Sequence, residues 1–201
     1  MKRLFLSEGM NDTDFLSFFI EENYPSLKYD RLDISNDDGG SIVPEESEKI
    51  RRFRESRNDY EVLIKSEGGD ENLVTVLGSK LPELLRGDLE LFILIDLDGE
   101  DIRTRITQFQ HELQPHSPGR SYSLSCEEEI LKTTFLQTHV VKVSCGGRYA
   151  GEFKLLAFRE DLEDAAEITG DEEERDEVEG KLEDILERNQ ITKPIKVAVS
   201  D

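Results

Sequence analysis

Residues 89–98 read Leu-Glu-Leu-Phe-Ile-Leu-Ile-Asp-Leu-Asp, and this stretch decides the fold. The run that begins at Phe92 is continuously apolar, which is typical of a strand buried on both faces of a parallel sheet. It ends in two acids, Asp96 and Asp98. Ligands bind at the carboxyl ends of the strands in open α/β sheets. We therefore expect an α/β fold with two carboxylates at the ligand-binding edge.

Asp96 and Asp98 are two residues apart, so on a strand they would point to the same side. Buried carboxylates are unfavourable unless water, a hydrogen-bond donor or a cation meets them. One Mg²⁺ ion can bridge two such oxygens while it keeps several waters. The alternative is a turn that ends a core strand, because Asp and Gly99 are ordinary turn residues.

A second acid follows a strand near the start of the sequence. Residues 3–7 predict a short strand, which ends at Glu8-Gly9, and Asn11 or Asp12 can cap the helix that follows. Strand, acidic turn and helix form the first half of a βαβ unit. This predicts that Glu8 lies at the same sheet edge as the first acid pair. The alternative for Glu8 is a solvated loop acid.

The remaining pattern alternates strands with helices. We predict strands at 27–35, 60–66, 134–144 and 152–158, the last two forming a hairpin, and helices at 45–58, 70–85, 101–113, 159–168 and 171–189. Residues 193–199 are interpreted as an edge strand or a loose tail. This divides the chain into an α/β core at 1–115 with an Arg-rich insertion at 36–58, a continuation of the sheet at 116–170, and an acidic helix and tail at 171–201.

Length and composition set further limits. A chain of 201 residues forms one domain, or one domain with an appendage. Its apolar runs are too short for a membrane span, and its start is too short and too polar for a signal peptide. Two cysteines, Cys126 and Cys145, are too few for a disulfide framework. We therefore expect a cytoplasmic protein with reduced thiols.

The formal net charge is −21. A protein that binds nucleic acid by charge alone would be basic. The acids are spread over nearly the whole chain, however, which favours a halophilic source in which molar salt screens their repulsion. On this hypothesis the net charge does not exclude a nucleic-acid partner.

Two weaker features of the sequence could indicate a site that binds an anion such as phosphate. The predicted helix at 45–58 carries Arg51, Arg52 and Arg54, and its favoured interpretation is a solvated face with ion pairs four residues apart. The alternative is an arm that contacts phosphates, since the arginine fork fits phosphate oxygens. Gly68-Gly69 precedes a predicted helix, and such a loop lets backbone N–H groups approach an anion.

The three strand ends Glu8-Gly9, Gly68-Gly69 and Asp96-Leu-Asp98 follow one another in a specific order and spacing. In this respect residues 1–110 resemble the Toprim fold, which is shared by topoisomerases, primases, OLD-family nucleases and small stand-alone Toprim proteins. The resemblance implies a Rossmann-like central sheet, mostly parallel and flanked by helices, with a C-terminal extension of hairpin and helix.

The same resemblance implies site roles. The glutamate, Glu8, would act as general acid or base, and Asp96 and Asp98 would hold Mg²⁺ or Mn²⁺. Asp12 lies in the first matching motif, and Glu163 and Asp164 are loosely similar to a further acidic element of OLD-like members, so these three join as candidate ligands. Phosphate would be contacted by Gly9, Gly68 and Gly69, and by the arginine cluster Arg51, Arg52 and Arg54.

Three functional hypotheses follow. The first is a Mg²⁺-dependent nuclease that acts on DNA or RNA. The second is a haloacid-dehalogenase-like phosphatase with Asp96 as nucleophile and Asp98 as acid, although Glu100 departs from that family's motif and Glu8 would be unexplained. The third is a non-catalytic, metal-binding regulatory partner of a separate ATPase. No tyrosine is clearly placed as a topoisomerase nucleophile and no ATPase domain is fused, and the sequence leaves a homodimer open.

Overall fold

The computed structural model describes residues 1–32, 44–55, 57–85, 88–115, 119–169 and 175–200, without the side chains of residues 44–47 and 82. Its strands are β1 (Lys2–Ser7), β2 (Tyr29–Leu32), β3 (Val62–Ser66), β4 (Leu89–Asp96), β5 (Tyr122–Lys132), β6 (Leu136–Cys145) and β7 (Arg148–Phe158). Its helices are α1 (Met10–Asn23), α2 (Pro44–Arg54), α3 (Asp70–Leu84), α4 (Ile102–Leu113), α5 (Leu162–Ala166), α6 (Arg175–Asp184) and α7 (Asn189–Ser200), with a 3₁₀ turn at Ile185–Glu187.

The described strands form one sheet in the order β2-β3-β1-β4-β7-β6-β5. Strands β2, β3, β1, β4 and β7 run parallel to one another, whereas β6 runs antiparallel to both β7 and β5. Helices cover both faces of this mixed, mostly parallel sheet. The α/β class predicted from the sequence is confirmed.

Strand β4 lies in the middle of the sheet and is buried on both faces, as its apolar run predicts. Leu91 and Ile93 pack in one core with α3 and α4. Phe92 and Leu94 pack in the opposite core with α1, α6 and α7. The strand ends at Asp96, two residues before the predicted end.

The predicted helices and strands of the first half are present with shorter bounds. The helix predicted at 70–85 is one continuous helix, α3, and the strand predicted at 27–35 is β2 at Tyr29–Leu32. Residues 33–43 and 56 lie outside the described residues, and so does the beginning of the predicted insertion at 36–58. The predicted hairpin is confirmed as β6 and β7, which turn at 146–147.

The C-terminal part differs from the prediction. Strand β5 was expected only as a part of the sheet continuation without its own bounds, and it pairs along β6. Residues 193–199 are not an edge strand or a tail, because they lie in α7. Ile191, Ile195 and Val199 recur every four residues and are buried, so the helical spacing outweighs the β-branched composition and Pro194. Residues 170–174 of the predicted acidic helix lie outside the described residues.

The helices of the described ranges were compared with what a lipid bilayer requires. None of them is both long and apolar enough to cross a membrane. The longest, α3, has 15 residues, whereas about 20 apolar residues are needed to span the hydrocarbon core.

Candidate active site

The carboxyl edge of the sheet places Glu8 beside the strand that carries Asp96. β1 and β4 are parallel neighbours, and Ser7 pairs in register with Leu94. Glu8 directly follows β1, and Asp96 is the last residue of β4. The two acids therefore lie at the ends of adjacent strands, as the sequence predicts.

Glu8 is a poorly hydrated carboxylate. Its side chain is 19% exposed, and its buried Oε1 accepts no hydrogen bond from the described residues. The Nη2 atom of Arg105 lies 3.6 Å from this oxygen. Burial, followed by the charges of Asp70 and Asp12, raises the pKa of Glu8 to about 8, although Arg105 acts in the opposite direction.

The pKa of Asp96 is raised further than that of Glu8. Its Oδ1 is buried and has no hydrogen-bond partner among the residues described. Burial raises the pKa of Asp96 most, and the negative charges of Asp12, Glu8 and Glu163 add to this, so that the pKa reaches about 9. Without a cation, Asp96 therefore keeps its proton at neutral pH.

Asp12 has a structural and an electrostatic role. The backbone N–H of Gly9 donates to Asp12 Oδ2 at 2.8 Å, so Gly9 is the N-cap of α1 and Asp12 bonds back to it. The prediction that Asn11 or Asp12 is the cap is corrected in this respect. Burial and the charge of Glu163 raise the pKa of Asp12 to about 7, although the hydrogen bond from the N–H of Gly9 acts to lower it.

The two acids of α5 lie in different surroundings. Glu163 Oε1 accepts a hydrogen bond from Asn11 Nδ2 at 2.8 Å, which ties α5 to α1. Asp164 is exposed, and its backbone N–H is capped by the Asp161 side chain. The structure thus brings Glu163 but not the side chain of Asp164 to the predicted site. We call the group Glu8, Asp12, Asp96 and Glu163 the carboxylate cluster.

Asp98 lies beyond the strand. It has a φ of +48°, its side chain is exposed, and its N–H donates to the carbonyl of Glu160 at 3.2 Å. Because β4 ends at Asp96, strand alternation does not reach Asp98. The premise that both aspartates point to the same side of a strand is therefore corrected, and Asp98 belongs to a turn.

The glycine pair lies at the same edge. Gly68 and Gly69 have φ values of +74° and +130°, which glycine adopts without strain, and Gly69 is the N-cap of α3. The N–H of Gly69 donates to the carbonyl of Glu8 at 2.7 Å. The loop and the start of α3 are therefore fixed beside Glu8.

Arg105 is the site residue that the sequence reasoning missed. Its side chain is 14% exposed, and its Nη2 lies 2.6 Å from Asp70 Oδ1. Its Nε is buried without a hydrogen-bond partner among the described residues. The available signal was its position in the helical pattern, three residues after Ile102 and beside Ile106, at the border of the inner face of α4.

The arginine cluster of α2 lies elsewhere. Arg51 and Arg52 pair with Glu48 at 2.5 and 2.9 Å, as the favoured interpretation of a solvated face predicts. Arg54 donates to the carbonyl of Glu83 in α3 at 2.9 Å. None of the contacts described for these arginines involves the carboxylate cluster.

The carboxylate cluster offers oxygens to a cation without forming a complete cage. Within the described residues, no three Asp, Glu, His or Cys side chains are grouped so that they could hold a metal ion. The two unpartnered oxygens, Glu8 Oε1 and Asp96 Oδ1, are hard donors of the kind that Mg²⁺ prefers. Mg²⁺ is usually held by one or two carboxylates, with waters and substrate phosphates as its other ligands. The donor set therefore fits that mode of binding.

The chain matches no family model and no curated protein. Among solved structures it is similar to a de novo designed protein of P-loop NTPase fold, determined by solution NMR. The match covers 58% of this chain and 75% of the design, with 20% sequence identity and a TM-score of 0.33.

Proposed function

We propose that the chain is a stand-alone Toprim-like domain that cleaves phosphodiester bonds of DNA or RNA with Mg²⁺ or Mn²⁺. One observation carries this proposal. Glu8 and Asp96, at the ends of adjacent parallel strands, each have a buried oxygen that accepts no hydrogen bond from the described residues. Buried carboxylates without donors favour a function that supplies a cation or uses a proton.

Asp96 would hold the metal, and Glu8, Asp12 and Glu163 would lie beside it as further negative charges. When bound, the ion would neutralise charge on phosphoryl oxygens and activate a water. The positive charge of the ion would suit these residues. Neighbouring acids contribute to the raised pKa values of Asp96 and Asp12, and a cation would offset that negative charge. Asp98, which is exposed in the turn after β4, would contribute only from the solvent side.

Glu8 would move the proton in this reaction. A general acid or base works best when its pKa is near the working pH, and burial with neighbouring acids raises the pKa of Glu8 to about 8. Arg105 would hold Glu8 in place at 3.6 Å and would offer guanidinium donors to a phosphate oxygen. The loop at Gly68 and Gly69 would hold the start of α3 beside Glu8, because the N–H of Gly69 donates to the Glu8 carbonyl and the N–H of Gly68 donates to Ser66 Oγ.

The proposed substrate is a polyanion, and the chain carries a net charge of −21. The two are compatible in molar salt, where the Debye length is about 3 Å and repulsion beyond contact distance is screened. We therefore retain a halophilic source as part of the proposal. A cytoplasmic location belongs to it as well, supported by the free thiols of Cys126 and Cys145.

A second candidate is a non-catalytic, metal-binding partner of a separate ATPase. It rests on the same two buried oxygens, Glu8 Oε1 and Asp96 Oδ1, which a cation can occupy whether or not a reaction follows. A regulatory site needs binding alone, whereas catalysis also needs a positioned proton donor or acceptor. The two candidates therefore make different predictions for Glu8.

The test is a cleavage assay in molar salt with Mg²⁺ or Mn²⁺ on single- and double-stranded DNA and on RNA. We expect Glu8→Gln and Asp96→Asn each to lower cleavage by about 100-fold or more. Matched controls are Glu71→Gln and Asp164→Asn, because both acids are exposed. These should cleave like the wild type.

Each other outcome selects another function. Folded wild-type protein that binds Mg²⁺ but cleaves none of the substrates favours the regulatory partner. Phosphate-monoester hydrolysis that survives Glu8→Gln but not Asp96→Asn favours the haloacid-dehalogenase-like phosphatase, in which Asp96 attacks the phosphorus and Glu8 has no role.

A further inference from the structure

A cavity of 170 Å³ lies between α2, α3 and the sheet. Its lining comes from β1, β3 and the two helices, and no member of the carboxylate cluster is among its described lining residues. It is therefore a second concave site, separate from the proposed catalytic one. Its walls, floor and rim each have a different chemistry.

The floor of the cavity is charged. Lys65 and Glu67 form an ion pair there, and their side chains are 0% and 1% exposed. A buried ion pair adds little stability, because the loss of hydration offsets the attraction of the charges. Because both side chains are buried and bonded to each other, the pair closes the floor of the cavity.

The walls of the cavity are apolar. Leu6 contributes from β1, Ile50 from α2, and Val76 and Leu84 from α3. An apolar cavity of about 150 Å³ in a protein can hold a benzene molecule. This cavity therefore has room for one planar ring system, and a few polar groups among apolar walls are typical of a small-molecule site.

The rim of the cavity is cationic in a chain that is strongly acidic. Arg51, Arg54 and Lys80 line it, and Glu83 is the rim acid among the described lining residues. Arg51 is held by Glu48, Arg54 donates to the Glu83 backbone carbonyl, and Lys80 Nζ lies 4.0 Å from Glu83 Oε2 while its side chain is 39% exposed. Arg54 and Lys80 are therefore the side chains that can reach an anion at the entrance.

We propose that this cavity binds a mononucleotide. The base lies between the apolar walls, above the buried pair of Lys65 and Glu67, and the phosphate contacts Arg54 and Lys80 at the rim. An aromatic ring with an attached dianion matches the walls and the rim of the cavity at once. A bare phosphate matches the rim alone.

The test is calorimetric titration of the full chain with AMP in EDTA, at the lowest salt at which the protein stays folded. EDTA keeps the carboxylate cluster free of metal, so the result is independent of the proposed cleavage. We expect AMP to bind, and adenosine to bind about tenfold more weakly because it lacks the charge-assisted hydrogen bonds of the phosphate. Ribose 5-phosphate and inorganic phosphate should bind more weakly than AMP.

Variants locate the site. Arg54→Gln and Lys80→Gln should each weaken AMP binding by about tenfold. Arg52→Gln is the matched control, since Arg52 lies on the same helix but does not line the cavity. Val76→Phe should abolish binding by filling the cavity, and the two rim variants keep the test valid if this variant does not fold.

Four results would overturn the proposal. These are no heat with millimolar AMP, equal affinity for AMP and inorganic phosphate, an equal loss in Arg52→Gln and Arg54→Gln, and loss of AMP binding in Asp96→Asn. The last result would move the nucleotide to the carboxylate cluster.

Discussion

Helix α1 buries two aspartates, of which one is paired with arginines and the other lies among acids. Asp12 is 5% exposed and Asp14 is 2% exposed. Asp14 forms ion pairs with Arg31, at 2.7 Å, and with Arg175. Asp12 accepts backbone hydrogen bonds from Gly9 and Glu8 but has no cationic partner described, so burial and the charge of Glu163 raise its pKa.

This difference separates a structural charge from a functional one. Buried charges are normally paired or neutralised, because their dehydration is unfavourable. Asp14 follows that rule through two arginines, which connect α1 to β2 and α6. The carboxylate cluster departs from it, and such departures are concentrated at sites where binding or catalysis needs them.

The largest expected effect is a pH dependence of the free energy of unfolding, which the carboxylate cluster should cause and the ion pairs of Asp14 should not. The pKa values of Asp12, Glu8 and Asp96 are raised to about 7, 8 and 9, so the folded chain holds protons that the unfolded chain has released. Their contribution to stability is therefore fully present below about pH 4, where the unfolded carboxyls also keep their protons, and is lost as the pH rises through these values, by about 1.4 kcal/mol per pH unit for each group at most. Urea unfolding in EDTA between pH 5 and pH 9 measures this decline.

Added Mg²⁺ should reverse that decline, because metal binding competes with protons for the same carboxylates. The gain in stability from Mg²⁺ should be small at pH 5 and large at pH 9. A stability in EDTA that rises steadily over this range would contradict the raised pKa values.

Asp14→Asn should have the next largest effect. The change leaves Arg31 and Arg175 without their shared carboxylate, and breaking a buried ion pair lowers the free energy of unfolding by about 3 kcal/mol. Urea unfolding measures it, with the exposed Asp164→Asn as control. A loss equal to that of the control would mean that the pairs of Asp14 contribute nothing to stability.

Asp96→Asn should act in the opposite direction. The amide needs no proton to remain buried, so the metal-free variant should be more stable than the wild type at pH 8, by on the order of 2 kcal/mol. The same variant should lose the stabilisation by Mg²⁺. If Asp96→Asn destabilises the metal-free protein as Asp14→Asn does, then Asp96 has an unrecognised structural partner and the comparison fails.

The sequence predicts the centre of the site because that part depends on strand ends. A buried apolar strand can be read from local sequence, and the rule that ligands bind at the carboxyl ends of parallel strands then suffices to place Glu8 near Asp96. Asp98 is misplaced in the prediction because the strand stops one residue after Ile95, and a turn with positive φ can begin wherever Asp and Gly follow. Where a strand ends is set by its neighbours, here the loop that follows β7.

The parts that the sequence does not reveal depend on tertiary contacts. Arg105 resembles the other polar residues of α4, and only the packing of α4 beside α3 brings it to Glu8 and Asp70. The C-terminal residues were interpreted as a strand because Val and Ile favour strands when no packing partner is known. In the fold, Ile191 and Ile195 are buried on the sheet, so the helix prevails over local propensity.

Arg105→Gln should have the smallest effect of these variants. It removes the one cation described beside Glu8 and leaves Asp14 with its arginines, so it changes the carboxylate cluster alone. Arg105 lowers the pKa of Glu8, so its loss should raise that pKa further and shift the pH at which Mg²⁺ begins to stabilise the protein upward, by about one unit or less. Thermal unfolding with and without Mg²⁺ across pH measures the shift. Arg105→Lys, which keeps the charge, should shift it less, and the exposed Arg103→Gln should leave it unchanged. A downward shift in Arg105→Gln would mean that Arg105 repels the metal more strongly than it stabilises the ionised glutamate, and its role would then be to exclude cations until a phosphate arrives.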